Sequence, residues 1–331
     1  MSPLNQNSTG TPRRTLGAGG PVVGAVGLGC MGMSWVYAEQ SQDQADLIRA
    51  LRQAVESGIT LLDTSDIYGP YTNEDLVGRA IVGIRDKVVL ATKGGLIARA
   101  GAHIGDVTTK PDGRPEHLRA ACEGSLKRLG VDDVDLYYLH RVDPRVPLAE
   151  SWGALAELQS AGKVRHIGLS EVTVEQLALA HEIATVTAVQ SELSLWTTDP
   201  LDQVLPWCTA HGVAFVPFSP LGRGFLTGRF TTENAPATED FRSRMPRFQP
   251  EALTVNQRIL DGVRAVAARH HVTPGQVALA WTLAQGEHVV PIPGGTKTAH
   301  IQENAAAAEL TLTAQDFIEL DELPAAVGTR Y

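Results

Sequence analysis

The sequence predicts a single-domain, eight-stranded parallel α/β barrel, on three observations. Short apolar runs alternate with amphipathic stretches along the chain, a pattern that requires a parallel sheet covered by helices. The apolar runs reach the number that closes a (β/α)8 barrel. No Pro/Ser-rich linker interrupts them, so residues 15–331 read as one domain behind a disordered polar tail, residues 1–14.

Each element follows from its local pattern. Arg14 to Gly20 with Pro21-Val22-Val23 reads as an N-terminal β-hairpin, and Val26-Gly27-Leu28-Gly29 as the first core strand. Residues 42–57 place Ile48, Leu51 and Val55 on one helical face, with Gly58 just past the end. Residues 59–63 are the second strand, an apolar run ending on Asp63. Leu76, Val77, Ala80, Ile81 and Ile84 mark an amphipathic helix over 74–84, followed by a third strand over 87–93. A polar loop spans 94–114. The next helix opens at Pro115 and stops at Gly130, the usual asymmetry of helix ends. A fourth strand over 134–140, a helix over 148–161 and a fifth strand over 164–169 follow.

Thr173-Val174-Glu175-Gln176 is a capping box that opens a helix, and Thr273-Pro274-Gly275-Gln276 is another. Between them lie strands over 186–190 and 213–217, a helix near 206–211, a long Gly/Arg/Pro-rich loop over 219–250 and a helix over 254–270. Residues 288–292 make the eighth strand.

Bulk properties narrow the function. A hydrophobic share of 43% and a charged share of 20% describe an ordinary globular chain. The net charge of -9 argues against nucleic acid or an anionic membrane as partner. The three cysteines are widely spaced and odd in number, so neither a disulfide framework nor a metal site is predicted. Cys30 reads as a small apolar filler. No apolar run is long enough to span a bilayer, and the polar start has no signal-peptide core. These features together favour the cytoplasm.

In a barrel of this kind the chemistry sits at the C-terminal strand ends. Asp63 ends the second strand, Lys93 the third and His140 the fourth, and Tyr68 lies on the loop after Asp63. A phenol with a pKa of about 10 exchanges protons poorly at neutral pH. A nearby ammonium lowers that value, and a carboxylate beside the lysine keeps the lysine charged. The histidine can orient a substrate oxygen. Such a set protonates a developing alkoxide, which is the need of carbonyl reduction by a hydride donor. A glycosidase would need two carboxylates across the rim. Asp63 has no clear partner for that, and Lys93 would be unexplained.

Several motifs carry a family resemblance. They are Asp63-Thr64-Ser65-Asp66-Ile67-Tyr68-Gly69 with Asn73-Glu74, Thr92-Lys93, and Asp135-Leu136-Tyr137-Tyr138-Leu139-His140. Gly168-Leu169-Ser170, Ser219-Pro220-Leu221-Gly222 and Glu303-Asn304 add to it. With these motifs the chain resembles an aldo-keto reductase over nearly its whole length.

The resemblance implies Tyr68 as general acid, assisted by Lys93 and Asp63, with His140 orienting a small-molecule carbonyl substrate. It implies NADPH as cofactor, with NADH as the alternative, and no metal. Ser170 and Gln190 match positions that bind the carboxamide, and Phe218 matches a ring stacked on the nicotinamide. Ser219, Pro220, Leu221, Gly222 and Arg223 fall in the pyrophosphate loop. Gly295, Thr296, Lys297, His300 and Asn304 fall in the adenosine-phosphate segment. Glu171 stands where many members carry Asn, and His300 where an arginine often grips the 2′-phosphate. A regulatory subunit that senses nicotinamide with little turnover is the other reading the family allows.

Gly27-Leu28-Gly29-Cys30-Met31-Gly32 fits a dinucleotide fingerprint, but no helix start follows it. It reads instead as a rim loop whose Gly29, Met31 and Gly32 let backbone approach the cofactor. Trp35, Tyr37 and Trp196, with Tyr68 and His140, are expected to line the substrate pocket. Arg223 is assigned an anion contact, and Arg141 reads as a solvated charge.

Overall fold

The structure, a computed structural model, describes residues 12–35, 43–98 and 109–330. It opens on an antiparallel hairpin of β1 (Arg13–Thr15) and β2 (Val22–Gly24). Arg13 and Arg14 therefore belong to the hairpin and not to the tail. The Arg14 guanidinium holds the hairpin down, donating to the carbonyls of Leu283 and Gly286 at 2.9 Å each and also to that of Val289.

The barrel strands follow in order. β3 (Leu28–Gly29) and β4 (Leu61–Asp63) are short, and β5 (Val89–Gly94) is buried throughout. After β5 the chain makes a second antiparallel hairpin, β6 (Leu96–Ala98) with β7 (Thr109–Pro111), where the sequence suggested only a polar loop. β8 (Val134–Leu139), β9 (Val164–Ser170), β10 (Ala188–Glu192) and β11 (Ala214–Phe218) complete a seven-stranded sheet. Its order, β3-β4-β5-β8-β9-β10-β11, is parallel throughout.

The expected eighth strand is present only in part. Residues 289–293 run between β11 and β3. Val290 and Ile292 donate backbone N–H groups to Phe215 and Pro217 of β11, at 2.9 and 3.0 Å. Toward β3 the bonding runs one way: Gly27 and Gly29 donate to the carbonyls of Pro291 and Pro293, at 2.9 and 3.1 Å. Proline has no N–H to return, so the ladder halves and no continuous strand forms along this seam.

Ten α-helices cover the described barrel: α1 (Gln44–Glu56), α2 (Thr72–Ile81), α3 (Pro115–Leu129), α4 (Leu148–Ser160), α5 (Val174–Ile183), α6 (Val204–His211), α7 (Pro250–His270), α8 (Pro274–Leu283), α9 (Thr298–Ala306) and α10 (Ala314–Asp321). Their ends obey local rules. α3 has Pro at its first turn and stops at Gly130, whose φ of 66° is cheap only for glycine. α7 starts at Pro250, earlier than the pattern indicated, because that proline suits the first helical position. Both predicted capping boxes form, at Thr173 with Gln176 and at Thr273 with Gln276.

Two apolar layers result. Inside the barrel, Leu61, Ala91, Leu136, Ala188, Val216 and Ile292 pack together, and Leu16 and Val23 of the first hairpin close the bottom. Between strands and helices lies the larger layer, which includes Trp152, Phe215, Trp281 and all three cysteines. The cysteines are free, and burial pushes their thiols up. Among the described residues no helix is long and apolar enough to cross a membrane.

The α5 cap gives a simple stability test. Thr173 Oγ1 accepts from Gln176 N at 3.3 Å, and Gln176 Oε1 accepts from Thr173 N at 3.0 Å. Thr173→Ala should lower stability by about 1 kcal/mol. The change is read as a lower urea midpoint at unchanged slope.

Candidate active site

Sheet register brings the polar strand ends together. Asp63 pairs with Ala91, and Lys93, two residues on, pairs with Tyr138. Residues two apart in a strand point to the same face, so Asp63 and Lys93 both turn into the barrel mouth. His140 follows β8, its N–H held by the Gly94 carbonyl at 2.9 Å. Tyr68 comes from the turn after β4, where its N–H donates to Ser65 O.

Lys93 is fully buried and uses every proton of an ammonium. Nζ donates to Asp63 Oδ1 at 2.5 Å, to Thr64 O at 2.9 Å and to Tyr68 Oη at 3.2 Å. A neutral amine could make only two of these. Burial works against its charge, but Asp63 and Tyr68 outweigh it and hold the lysine above its usual value. Burial likewise pushes the Asp63 carboxyl up, against Lys93 and Gln190. Its two oxygens accept only from donors, Lys93 Nζ and, at 2.8 Å, Gln190 Nε2. The pair is an ammonium and a carboxylate.

Tyr68 corrects one expectation. The ammonium does pull its pKa down, but burial outweighs it and the phenol ends above its ordinary value. The ring is 8% exposed, too dry for a phenolate to form easily. Because Tyr68 Oη accepts from Lys93, its own proton remains available to a ligand.

His140 sits edge-on to Tyr68, with ring centroids 6.0 Å apart. Burial, then Arg141 and Lys93, push its pKa well below the usual histidine value, so the ring is neutral. Its Nδ1 lies 3.2 Å from Ser65 Oγ. Trp35 packs on Tyr68 at 5.6 Å and joins Ile67 and Leu96 in an apolar wall with Met31, Ala98 and Phe241 behind. Its indole N–H is buried without a hydrogen-bond partner among the described residues. Trp196 does not join this wall. It packs with tilted rings against Phe225 and Phe248 of the long loop after β11, at centroid distances of 3.9 and 5.3 Å. Tyr37 lies outside the described residues.

The remaining predicted cofactor residues ring the same mouth. Ser170 ends β9 and accepts from Arg141 Nη1 at 3.0 Å, so Arg141 is engaged at the site rather than simply solvated. Gln190 lies on β10, and Phe218, half-buried, ends β11. Beyond it, Ser219, Gly222, Arg223 and Gly224 all have positive φ, so the loop through Pro220 and Leu221 coils tightly. Arg223 pairs with Glu192 at 2.7 Å, which gives its charge a protein partner. Glu171 accepts from Glu192 N at 3.0 Å and pairs with Arg330.

The Gly27–Gly32 segment runs into a short 3-10 turn, Met31–Met33, and not into an α-helix. Gly29 bridges to Gly294, which sets Gly29, Met31 and Gly32 beside the Gly295-Thr296-Lys297 stretch. Lys297 is the N-cap of α9 and offers no side-chain cap, so the first-turn amides have no side-chain acceptor there. Lys297 and His300 are exposed, and Asn304 is buried one turn on. Open amides beside a lysine suit a phosphate.

Other site residues carried a sequence signal but no assigned role. Asn73 is fully buried; it accepts from Thr64 Oγ1 at 2.7 Å and donates to Cys30 O at 2.9 Å and Ser34 Oγ at 2.6 Å. It thereby fastens the Trp35 loop to the Tyr68 loop. Glu74, also fully buried, accepts from Thr92 Oγ1 at 2.6 Å and from Arg128 Nε at 2.7 Å. In the sequence they stand only as the Asn73-Glu74 part of the motif that follows Tyr68.

Comparison with known proteins identifies the family. Residues 25–325 match the Aldo/keto reductase family. The chain belongs to that family. A relative, the Probable aldo-keto reductase 1 of Glycine max, is 44% identical over 308 residues, 93% of this chain and 87% of its own. Among solved aldo-keto reductases and their kin, the glycerol dehydrogenase AKR11B4 from Gluconobacter oxydans superposes with a TM-score of 0.82 at 28% identity, covering 91% of each chain. An aldo/keto reductase from Klebsiella pneumoniae, solved with NADP and acetate, gives 0.72 at 25% identity over 93% of this chain and 94% of its own.

Proposed function

We propose that this aldo-keto reductase reversibly reduces aldehydes or ketones with NADPH, and that Tyr68 gives the proton. One observation carries the reading: the Lys93 ammonium donates to the Tyr68 oxygen and leaves the phenolic proton for a substrate. The Klebsiella pneumoniae neighbour with bound NADP supports the cofactor.

The residues present fit such a cofactor. Ser170 still has its proton to give and Gln190 its carbonyl oxygen to accept, the two functions a carboxamide needs. Phe218 offers a ring at the end of β11, and the coiled loop through Ser219–Arg223 supplies cover for a pyrophosphate. The α9 amides with Lys297, His300 and Asn304 would hold an adenosine phosphate. When bound, a reduced nicotinamide supplies hydride. Tyr68 then protonates the alkoxide oxygen, Lys93 stabilises the phenolate left behind, and Asp63 keeps Lys93 charged and aimed. His140, neutral, donates a hydrogen bond that orients the carbonyl, and Trp35 keeps water from the site.

Oxidation of NADPH with a simple aromatic aldehyde, followed by its absorbance, tests the reading. A protein that binds NADPH yet turns over none of a broad carbonyl panel would instead be a sensor. The 2′-phosphate site has its own test. A guanidinium is always charged and bidentate, an imidazole only partly charged at neutral pH. His300→Arg should therefore tighten NADPH about tenfold and leave NADH unchanged. Equal changes in both dissociation constants would place residue 300 away from the phosphate.

A further inference from the structure

Behind the carbonyl site runs a line of polar groups that the reaction has not yet used. Ser65 Oγ lies 3.2 Å from Asp66 Oδ1, 3.2 Å from His140 Nδ1 and 3.3 Å from the Lys93 carbonyl. We infer that Asp66 and Ser65 are positioning residues that select the tautomer of His140, through the hydrogen-bonded line Asp66–Ser65–His140. The inference rests on His140 being the residue that orients the substrate carbonyl.

A hydroxyl has one proton and can give it to one acceptor at a time. If Asp66 is a carboxylate, Ser65 donates to it. His140 Nδ1 then meets an acceptor, so it carries the ring proton, and Nε2 is left bare. A bare Nε2 repels a carbonyl oxygen. If Asp66 is protonated, it donates to Ser65 Oγ and frees the serine proton for Nδ1, since the Lys93 carbonyl already accepts from the Asp66 N–H at 3.3 Å. The ring proton then sits on Nε2, the nitrogen left for the substrate, where it can donate to a carbonyl. Carbonyl reduction requires the second arrangement.

The surroundings of Asp66 favour that arrangement at neutral pH. Its side chain is almost wholly buried. Glu74, facing it from α2, is a like charge, while Arg128 from α3 is a partly compensating one. Tyr137 from β8 is uncharged, its phenol pushed well up by burial and by Asp66. Lys93 from β5 turns its ammonium to Asp63 and Tyr68, and His140 is neutral. Burial first and Glu74 second, against Ser65, Arg128 and the Ile67 amide, push the Asp66 carboxyl up to about 8. Below that pH the acid is protonated and Nε2 carries the hydrogen. Above it the line reverses and reduction weakens.

The test is imidazole nitrogen NMR on the full chain with NADP⁺ bound, labelled at histidine nitrogen and assigned with His140→Ala. The wild type should show the Nε2–H tautomer at pH 6.5 and the Nδ1–H tautomer at pH 9.5. Its kcat/KM for an aldehyde should fall about tenfold per pH unit above about 8. Asp66→Asn keeps an N–H donor toward Ser65 at every pH, so it should hold the Nε2–H form and lose that alkaline limb. Ser65→Ala, which removes the link with little change of volume, should make the tautomer insensitive to pH. A single unchanging tautomer in the wild type, or an Asp66→Asn protein with the wild-type limb, overturns the assignment. A tautomer switch in a protein with no carbonyl turnover keeps the line and sinks the proposed activity. Turnover without the switch does the reverse.

Discussion

Tyr68→Phe should cut carbonyl reduction by about 10²–10⁴-fold, the usual worth of a positioned proton donor, with little change in fold or in NADPH binding. The substitution removes one oxygen. The ring keeps its packing on Trp35, 5.6 Å away, and its edge contact with His140. Lys93 keeps two of its three acceptors, Asp63 and Thr64 O. The stability loss should stay near that of one hydrogen bond, about 1 kcal/mol. The wild-type phenol lies above its ordinary pKa because burial outweighs the ammonium. It is therefore fully protonated at neutral pH, fit to give a proton during reduction. In the reverse direction a base is needed, so alcohol oxidation should rise with pH toward the alkaline range while reduction does not. Steady-state kcat/KM of the variant, beside a thermal midpoint, decides the matter. Undiminished turnover would strip Tyr68 of its role and leave a packed aromatic.

The contrast between Tyr68 and the barrel shows what a sequence reveals. The barrel is legible because burial leaves period and punctuation in the chain: the apolar run 59–63, Pro115 and Gly130 about α3, and the two capping boxes all mean in the structure what they mean on paper. The meeting of Asp63 and Lys93 is legible too, since strand ends of a barrel share one rim. The sign of the Tyr68 shift is not, because it is a balance of desolvation against charge, and the sequence gives no depth of burial. The half-bonded seam at Pro291 and Pro293 was visible in the letters but outweighed by the valines around them. The β6–β7 hairpin has only three residues on each side, too few for a period to show. Trp196 near the rim in sequence order turns out to fill the loop after β11, where Phe225 and Phe248 complete its surroundings. Ser65 and Asp66 stand inside the most conspicuous motif, where the sequence assigns them no role of their own. The role inferred for them rests on the distances from Ser65 to Asp66 and to His140.

Lys93→Met should be the most destabilising single change at this site, and its pH dependence should say why. The side chain is fully buried and compensates a carboxylate that pairs with no other cation among the described residues. Removing it leaves Asp63 with Gln190 alone. Breaking a buried pair from one side costs about 3–5 kcal/mol. The remaining carboxyl, already pushed up by burial, then loses the charge that held it back and moves higher. Its folded pKa would stand well above the unfolded value, near 3.9. An acid of that kind binds its proton more readily folded than unfolded. The variant therefore gains stability as pH falls from neutral toward 4 and loses it as pH rises through the folded value. The wild type carries the same trend more weakly, because Lys93 and Gln190 hold back the rise of its Asp63 carboxyl. Pairing the change with Asp63→Asn removes the orphaned charge and should restore more than half of the lost stability at pH 7, a strong positive coupling in a double-mutant cycle. Reduction stays low in both proteins, because neither has an ammonium to stabilise the Tyr68 phenolate. Urea unfolding of the four proteins at pH 5 and pH 8 gives the answer. Equal stability of the single and double variants at both values would mean that losing Lys93 leaves no buried charge on Asp63, and the orphaned-carboxylate account of the loss would fall.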